Sequence, residues 1–306
     1  MAKTPRTLAG KVVIVTGAAG GVGGALARQL YQEGAHVSIC DINADAVAAK
    51  VQEVSSGAGA GRIIGRALDL ADRAAYTAFI EWTEEQLGAL DVLVNNAGIM
   101  PVGPFEQEPE ATAAKQVDVN LHAVLHGTKE ALRRFKPRGH GHVVNVASGA
   151  GWVPGAGGAT YSATKFGVVG LTEALALELH GSGVDVSVVA PAVIKSQMST
   201  GIGEVKGLKA SSPDEVAAAI VEGLKQPRFA IFVPKAMGVM ALTYSVLPYR
   251  VRGFLARVTG SDKLLLNVDT AARERYEAAV LGGAAQGPAP AAPQGNGKAP
   301  KERAAA

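Results

Sequence analysis

Apolar residues along the first two-thirds of the chain follow two alternating patterns. Val12-Val13-Ile14-Val15 is a continuous β-branched run, as expected of a strand buried on both faces. His36 to Cys40 reads the same way, and so do stretches near 62–68, 91–95, 142–147 and 184–190, and Phe229 to Val233. Between them, helix formers fill 22–33, 44–54, 72–87, 109–135 and 160–180. Within 44–54, Val47, Val51 and Val54 fall on one helical stripe. Strands alternating with helices predict a parallel sheet covered on both faces.

A different pattern begins near 236. Residues 236–247 are almost wholly apolar. After Pro248, Val251, Phe254, Leu255 and Val258 fall at i, i+3, i+4 and i+7, with Arg250, Arg252 and Arg257 largely off that stripe. A further helix starts after Asp269 or Thr270 and runs to Leu281, with Gly282-Gly283 as its stop. The remainder is Ala, Pro, Gly and Gln with a few charges, which predicts a disordered tail. The chain thus divides into an N-terminal tail (1–10), a main domain (11–235), a helical C-terminal extension (236–282) and the Ala/Pro-rich tail (283–306).

Composition narrows the class. In 306 residues, 48% hydrophobic and 19% charged content exclude global disorder. One cysteine, Cys40, cannot form an intrachain disulfide, so a reducing, cytoplasmic setting is expected. A net charge of +3 is too small to point to nucleic acid. The basic N-terminus leads into no apolar signal core, and no run of about 18 apolar residues predicts a membrane span.

Thr16-Gly17-Ala18-Ala19-Gly20-Gly21-Val22-Gly23 joins the first strand to the first helix. Glycines there permit a tight turn and close approach of a pyrophosphate to the free N–H groups of a helix N-terminus. The structural alternative is a plain glycine-rich turn. Asp41 ends the second strand, 24 positions after Gly17, where a carboxylate can accept both ribose hydroxyls and repel a 2′-phosphate. With neither Gly20 nor Ile42 basic, this favours NAD over NADP. The alternative for Asp41 is a cap on the following turn.

Tyr161 and Lys165 are spaced i, i+4 and share a helix face. An ammonium beside a phenol favours the phenolate, so the Tyr161 pKa is expected to fall and the residue to serve as a general base. Ser148 closes the strand from His142 to Ala147, at the carboxyl end where parallel sheets bind ligands. Its hydroxyl could orient a substrate oxygen, or simply cap a turn.

In this order and spacing, the residues resemble the short-chain dehydrogenase/reductase family over about 10–235. The matching pieces are the glycine turn at 16–23, Asp69, Asn95-Asn96-Ala97-Gly98, Asn120, Ser148, and Tyr161 with Lys165, the Ser-to-Tyr spacing being 13. The resemblance implies a doubly wound, Rossmann-like fold and NAD-dependent exchange between a secondary alcohol and its ketone. It implies Tyr161 as acid/base and Lys165 as the group that lowers its pKa and binds the nicotinamide ribose. Ser148 would orient the substrate oxygen, and Asn120 would hold a proton-relaying water. Around the cofactor it implies Gly17, Gly21, Val22 and Gly23 at the phosphates, Asp69 and Leu70 at adenine, and Asn96, Ala97 and Gly98 nearby. Pro191, Val193, Ile194 and Ser196 complete the set. Here Pro191-Ala192 stands where the family has Pro-Gly, and Ser196 where it has Thr. The resemblance also implies a homo-oligomer.

Met100, Ser148, Trp152 and Val153 are the candidate substrate residues, and with the apolar 236–247 run they point to a lipophilic alcohol, steroid-like, terpenoid or aryl. No metal is expected: His122 and His126 share a face but lack a third ligand. Four readings of the extension stay open: a lid over the site, a helix on a membrane surface through 236–258, a subunit contact, or an extra packed helix. Two other functions also stay open: an NADPH-dependent reductase of carrier-bound 3-oxoacyl chains, and a non-catalytic NAD-binding scaffold.

Overall fold

A computed structural model describes residues 5–203 and 210–281. Seven strands form one parallel sheet: β1 (Val12–Thr16), β2 (His36–Asp41), β3 (Ile63–Ala67), β4 (Val92–Asn95), β5 (Gly141–Val146), β6 (Val184–Pro191) and β7 (Ala230–Val233). Their order is β3-β2-β1-β4-β5-β6-β7, so the winding reverses between β1 and β4. A crevice opens at that reversal, beyond the carboxyl ends of the strands.

Strand periodicity assigns the two faces. Val13 and Val15 pack with Leu26 of α1 (Gly21–Gln32), Val47 of α2 (Ala44–Ser55) and Ile220 further along the chain. Val12 and Ile14 point the other way, to Phe79 and Ile80 of α3 (Arg73–Leu87) and to Phe135. Each such fully buried side chain contributes roughly 1.5–3 kcal/mol.

The stretch expected as one helix over 109–135 is α4 (Glu110–Val117) and α5 (Ala123–Arg138), joined by a π-helical turn at Asp118–His122. The wide turn accommodates Asn120, whose side chain is drawn out to the backbone of Ile99. α6 (Ala159–Glu178) carries Tyr161 and Lys165.

One helix, α7 (Pro213–Lys225), has no counterpart among the predicted elements. Its signal lies in Ser212-Pro213-Asp214-Glu215. Ser212 Oγ accepts from the Glu215 amide at 3.2 Å, Glu215 Oε2 accepts from the Ser212 amide at 2.7 Å, and Pro213 takes the first turn.

Beyond β7 come α8 (Ala236–Val246), α9 (Tyr249–Thr259) and α10 (Thr270–Leu281). Among the described residues, no helix is long and apolar enough to cross a membrane. The glycine stop at 282–283 and the tail expected over 283–306 lie outside the described residues.

Candidate active site

The glycine turn is shaped by what a side chain would strike. Gly17 has φ +62°, and a Cβ there would lie 2.6 Å from Ala97 Cα. A Cβ on Gly23 would meet Gly17 O at 2.5 Å and Asn96 Nδ2 at 2.6 Å. At Gly21, with φ +54°, nothing lies within 4 Å, so one side of the turn is open. α1 has neither a side-chain cap nor an acidic residue in its first turn. Its N–H groups thus face that opening without an internal anion, and the set fits a pyrophosphate. Val22 is half-buried behind the turn.

Asn96 holds the turn in place. Its amide donates to Thr16 O at 2.9 Å and to Gly17 O at 3.0 Å, while Thr16 Oγ1 accepts the Asn96 and Ala97 amides. The side chain implied to sit on the adenosine side therefore acts first as a brace. Asp41 Oδ2 accepts the Ala19 amide at 3.2 Å, fixing the carboxylate at the mouth of the turn. The next helix is capped by Asn43, which accepts from Ala46 at 3.0 Å. Burial opposes the charge on Asp69, but the Ala71 amide and the Lys115 ammonium more than offset it, and its pKa is lowered. Leu70 is buried with Tyr76 and Ile80. Cys40 is buried with its thiol pKa pushed up by burial, so it is inert.

Tyr161 and Lys165 lie side by side under the opposite wall, Nζ 5.7 Å from the phenol ring centroid. Both are buried. Lys165 Nζ donates to Val146 O at 3.0 Å, and desolvation lowers its pKa to about 8. The expected fall in the Tyr161 pKa is not what this arrangement produces. Burial raises it, and the Ser148 hydroxyl opposes that rise. The reason is that Lys165 is itself desolvated, and its donor is directed at a carbonyl rather than at the phenol oxygen. Ser148 Oγ also accepts the Ala150 amide at 3.1 Å.

Asn120 Oδ1 accepts from the Ile99 amide and Asn120 Nδ2 donates to Ile99 O, both at 2.8 Å. A Cβ on Gly98 would lie 3.2 Å from Asn120 Oδ1 and 3.5 Å from Lys165 Nζ. Gly98 thus brings Asn120 and Lys165 to one point. Below them Asn95 bonds Tyr76, Thr128 and Asn145, which ties β4 to β5.

Pro191 ends β6, and the Ala192 amide donates to Val233 O at 2.8 Å, so alanine continues the ladder. Val193 and Ile194 pair with Ser211, and the Ser196 amide donates to Ser199 Oγ at 3.2 Å. Of the candidate substrate residues, Trp152 packs on Phe232, ring centroids 5.6 Å apart, with Val168 and Phe229 close by. Its ring serves local packing. Val153 is half-buried, its amide bound to Gly149 O. His122 bonds Asp118 and His126 bonds Thr77, so the pair has separate partners.

Met100 leads to residues that sequence reasoning missed. Its amide donates to the hydroxyl of Tyr276 on α10 at 3.1 Å, and its carbonyl accepts from Arg273. Arg273 is buried; it also donates to Met198 O at 2.7 Å and Glu277 Oε1 at 3.3 Å, and stacks 4.5 Å from the Tyr276 ring. Burial pushes the Tyr276 phenol up to about 12, and charge on Tyr161 and Glu277 adds to the rise. Cβ atoms on Gly155 and Gly158 would meet Leu265 Cδ1 at 3.1 and 2.9 Å. Asp269 donates its amide to Gly201 O at 2.9 Å. The segment from Leu265 to Tyr276 therefore lies across three loops of the cleft: those after β4, after β5 and after β6. Its only advance signal was an aromatic and an arginine at i, i+3 in a helix without a marked apolar face.

This arrangement has known counterparts. The chain is 38% identical over 188 residues to the (2S)-[(R)-hydroxy(phenyl)methyl]succinyl-CoA dehydrogenase subunit BbsD of Thauera aromatica, covering 61% of this chain and 75% of that protein. It is 31% identical to D-beta-hydroxybutyrate dehydrogenase of Cupriavidus necator, covering 83% of this chain and 98% of that one. The crystal structure of a metagenomic short-chain oxidoreductase in complex with NADP superposes with a TM-score of 0.64 at 32% identity, over 74% of this chain and 96% of that one. Residues 11–206 match the short chain dehydrogenase family as a whole, in agreement with the switch-point crevice and the buried Tyr161–Lys165 pair. The chain belongs to the short-chain dehydrogenase/reductase family of oxidoreductases.

Proposed function

We propose that the protein interconverts a secondary alcohol and its ketone with NAD, on a substrate with a bulky apolar body. The observation that carries this reading is the convergence of Ser148, Tyr161, Lys165 and Asn120 beneath a wall supplied by the extension.

NAD, when bound, supplies the hydride acceptor, and its reduced form the donor for the reverse direction. In oxidation, Tyr161 Oη takes the hydroxyl proton as the carbinol carbon loses its hydride; in reduction it returns that proton to the nascent alkoxide. Ser148 Oγ donates to the same oxygen and holds it against Tyr161. Lys165 carries its charge below about pH 8 and offers its remaining donors to ribose hydroxyls. Burial alone disfavours the Tyr161 phenolate; the Ser148 hydroxyl opposes this, and the positive charge of a bound oxidised nicotinamide would add to that opposition. Asn120, held through both polar atoms of its amide, fixes the wall beside Lys165.

Asp41 supports NAD over NADP. Its carboxylate stands at the mouth of the glycine turn, and a 2′-phosphate beside it meets like charge. Leu265 and Tyr276, rather than Trp152, support an apolar substrate body.

The test is NADH appearance with a graded panel of secondary alcohols, from small polyols to sterols. Bulky apolar alcohols are expected to turn over best, and Tyr161→Phe to lose about 10²–10⁴-fold in kcat with dinucleotide binding retained. Faster turnover of polyols would remove the apolar-substrate reading. Preference for NADPH would transfer the assignment to the carrier-bound 3-oxoacyl reductase.

A further inference from the structure

Two helices of the extension leave their apolar sides uncovered. Among the described residues, nine of the fourteen exposed large hydrophobic side chains lie between Val239 and Val258. α8 buries only Met237 and Ala241, whereas Leu242 and Val246 are 70% and 75% exposed. α9 buries none of its residues, and its stripe of Val251, Phe254, Leu255 and Val258 faces solvent along the whole helix. An amphipathic helix normally spends such a stripe on the core. Uncovered apolar surface of this kind marks a contact site.

The corner between the two helices is built rather than loose. Arg252 Nε donates to Leu247 O at 2.7 Å and its Nη2 to Ser245 O at 2.9 Å, and its guanidinium lies 4.7 Å from the Tyr244 ring centroid. It caps the end of α8 from within α9, so the pair presents its apolar side chains in a fixed arrangement. Met237, buried with its Sδ 3.1 Å from where a Cβ on Gly149 would sit, anchors the other end of α8 to the main domain.

Charge selects the occupant. Residues 235–263 hold five basic side chains (Lys235, Arg250, Arg252, Arg257, Lys263) against Asp262 alone. That stretch is more positive than the whole chain, whose net charge is +3, so the rest of the molecule is slightly acidic. A second copy would bring the same cations against themselves. An anionic bilayer surface offers both an apolar interior for the stripe and phosphate for the cations, which are concentrated on this side of the molecule.

We propose that α8 and α9 form a docking surface for membranes rich in anionic lipid. The residues lie parallel to the bilayer surface with Leu242, Val246, Phe254 and Val258 in the acyl boundary and Arg250 and Arg257 at the headgroups.

Co-sedimentation of the full chain with vesicles tests this, using phosphatidylcholine alone and phosphatidylcholine with about a third phosphatidylserine. Binding to the anionic vesicles is expected to be about tenfold stronger or more, and to weaken as salt rises from about 0.1 to 0.5 M. Leu242→Ser with Phe254→Ser is expected to abolish it, and Arg250→Gln with Arg257→Gln to remove the lipid preference. Thermal unfolding and NADH binding certify that each variant is folded, independently of whether any alcohol is turned over. No vesicle binding by the wild-type chain, or equal binding by the Leu242→Ser, Phe254→Ser variant, overturns the proposal. So does a fall in solution mass of that variant without any vesicle binding by the wild type, which would assign the surface to a second copy.

Discussion

Around the glycine turn, the crevice is shaped by main-chain groups. Asn96 binds two carbonyls, Asp41 binds an amide, and Gly17 and Gly23 are positions where any side chain would collide. Across the crevice, the loops that face Tyr161 are held by side chains of one late helix. Arg273 takes the Met198 and Met100 carbonyls and Tyr276 takes the Met100 amide. The first half depends on where the backbone runs, and few residue types satisfy it. The second depends on which side chains α10 carries, so its shape can change without disturbing the sheet. A nucleotide used by a whole family suits the first construction, and a substrate particular to one member suits the second.

The sharpest way to break this comparison is at Lys165, the buried cation between the halves. Lys165→Met is expected to lose about 10²-fold or more in turnover. The same variant is expected to melt higher near pH 7. Folding holds the Lys165 pKa at about 8 against 10.5 unfolded, so the buried ammonium costs up to about 3 kcal/mol below pH 8. The lost bond to Val146 O returns about 1 kcal/mol of that. Between pH 8 and 10.5 the unfolded chain binds the extra proton, so wild-type stability should rise with pH relative to Lys165→Met. Melting curves across that range check both signs.

Arg273→Met probes the second half alone. It strands buried carbonyls and Glu277, and is expected to cost about 3 kcal/mol of stability. KM for the alcohol should rise while the dissociation constant for NADH stays within about twofold. An equal loss on both would mean that the halves are not built separately. Tyr276→Phe is the smallest change: it removes one hydroxyl at Met100 and should raise KM about fivefold, equivalent to about 1 kcal/mol. An unaltered KM would place that phenol outside the substrate's reach.

What could be read in advance follows the same division. Tyr161, Lys165, Ser148, Asn120 and the glycine turn were legible because their chemistry imposes both a residue type and a spacing. The inner strands β1 and β4 were legible because a strand buried on both faces is a continuous apolar run, whereas the edge strand β3 shows that pattern only at Ile63 and Ile64. α7 went unread although Ser212 to Glu215 spells a capping box and Val216, Ile220 and Leu224 recur at helical spacing, so both signals were present in the sequence. The π-helical turn at Asn120 left no trace in the apolar pattern, because the force that widens it comes from Ile99, distant in sequence. Trp152 was named as a substrate candidate by its position in the loop between Ser148 and Tyr161, and its ring packs on Phe232. Tyr276 and Arg273 reach the site only through tertiary folding of a segment that no motif defines.

The Arg273 side chain gives this enzyme a kinetic character as well as a shape. One guanidinium latches the loop after β4 to the loop after β6, through Met100 and Met198. Neither loop can swing outward by itself while that latch holds. For either loop to move outward, the Arg273 bonds must break or the α10 segment must lift with both loops. Opening on this side is one cooperative motion, resisted by Arg273 together with the Tyr276 and Asp269 contacts of the same segment.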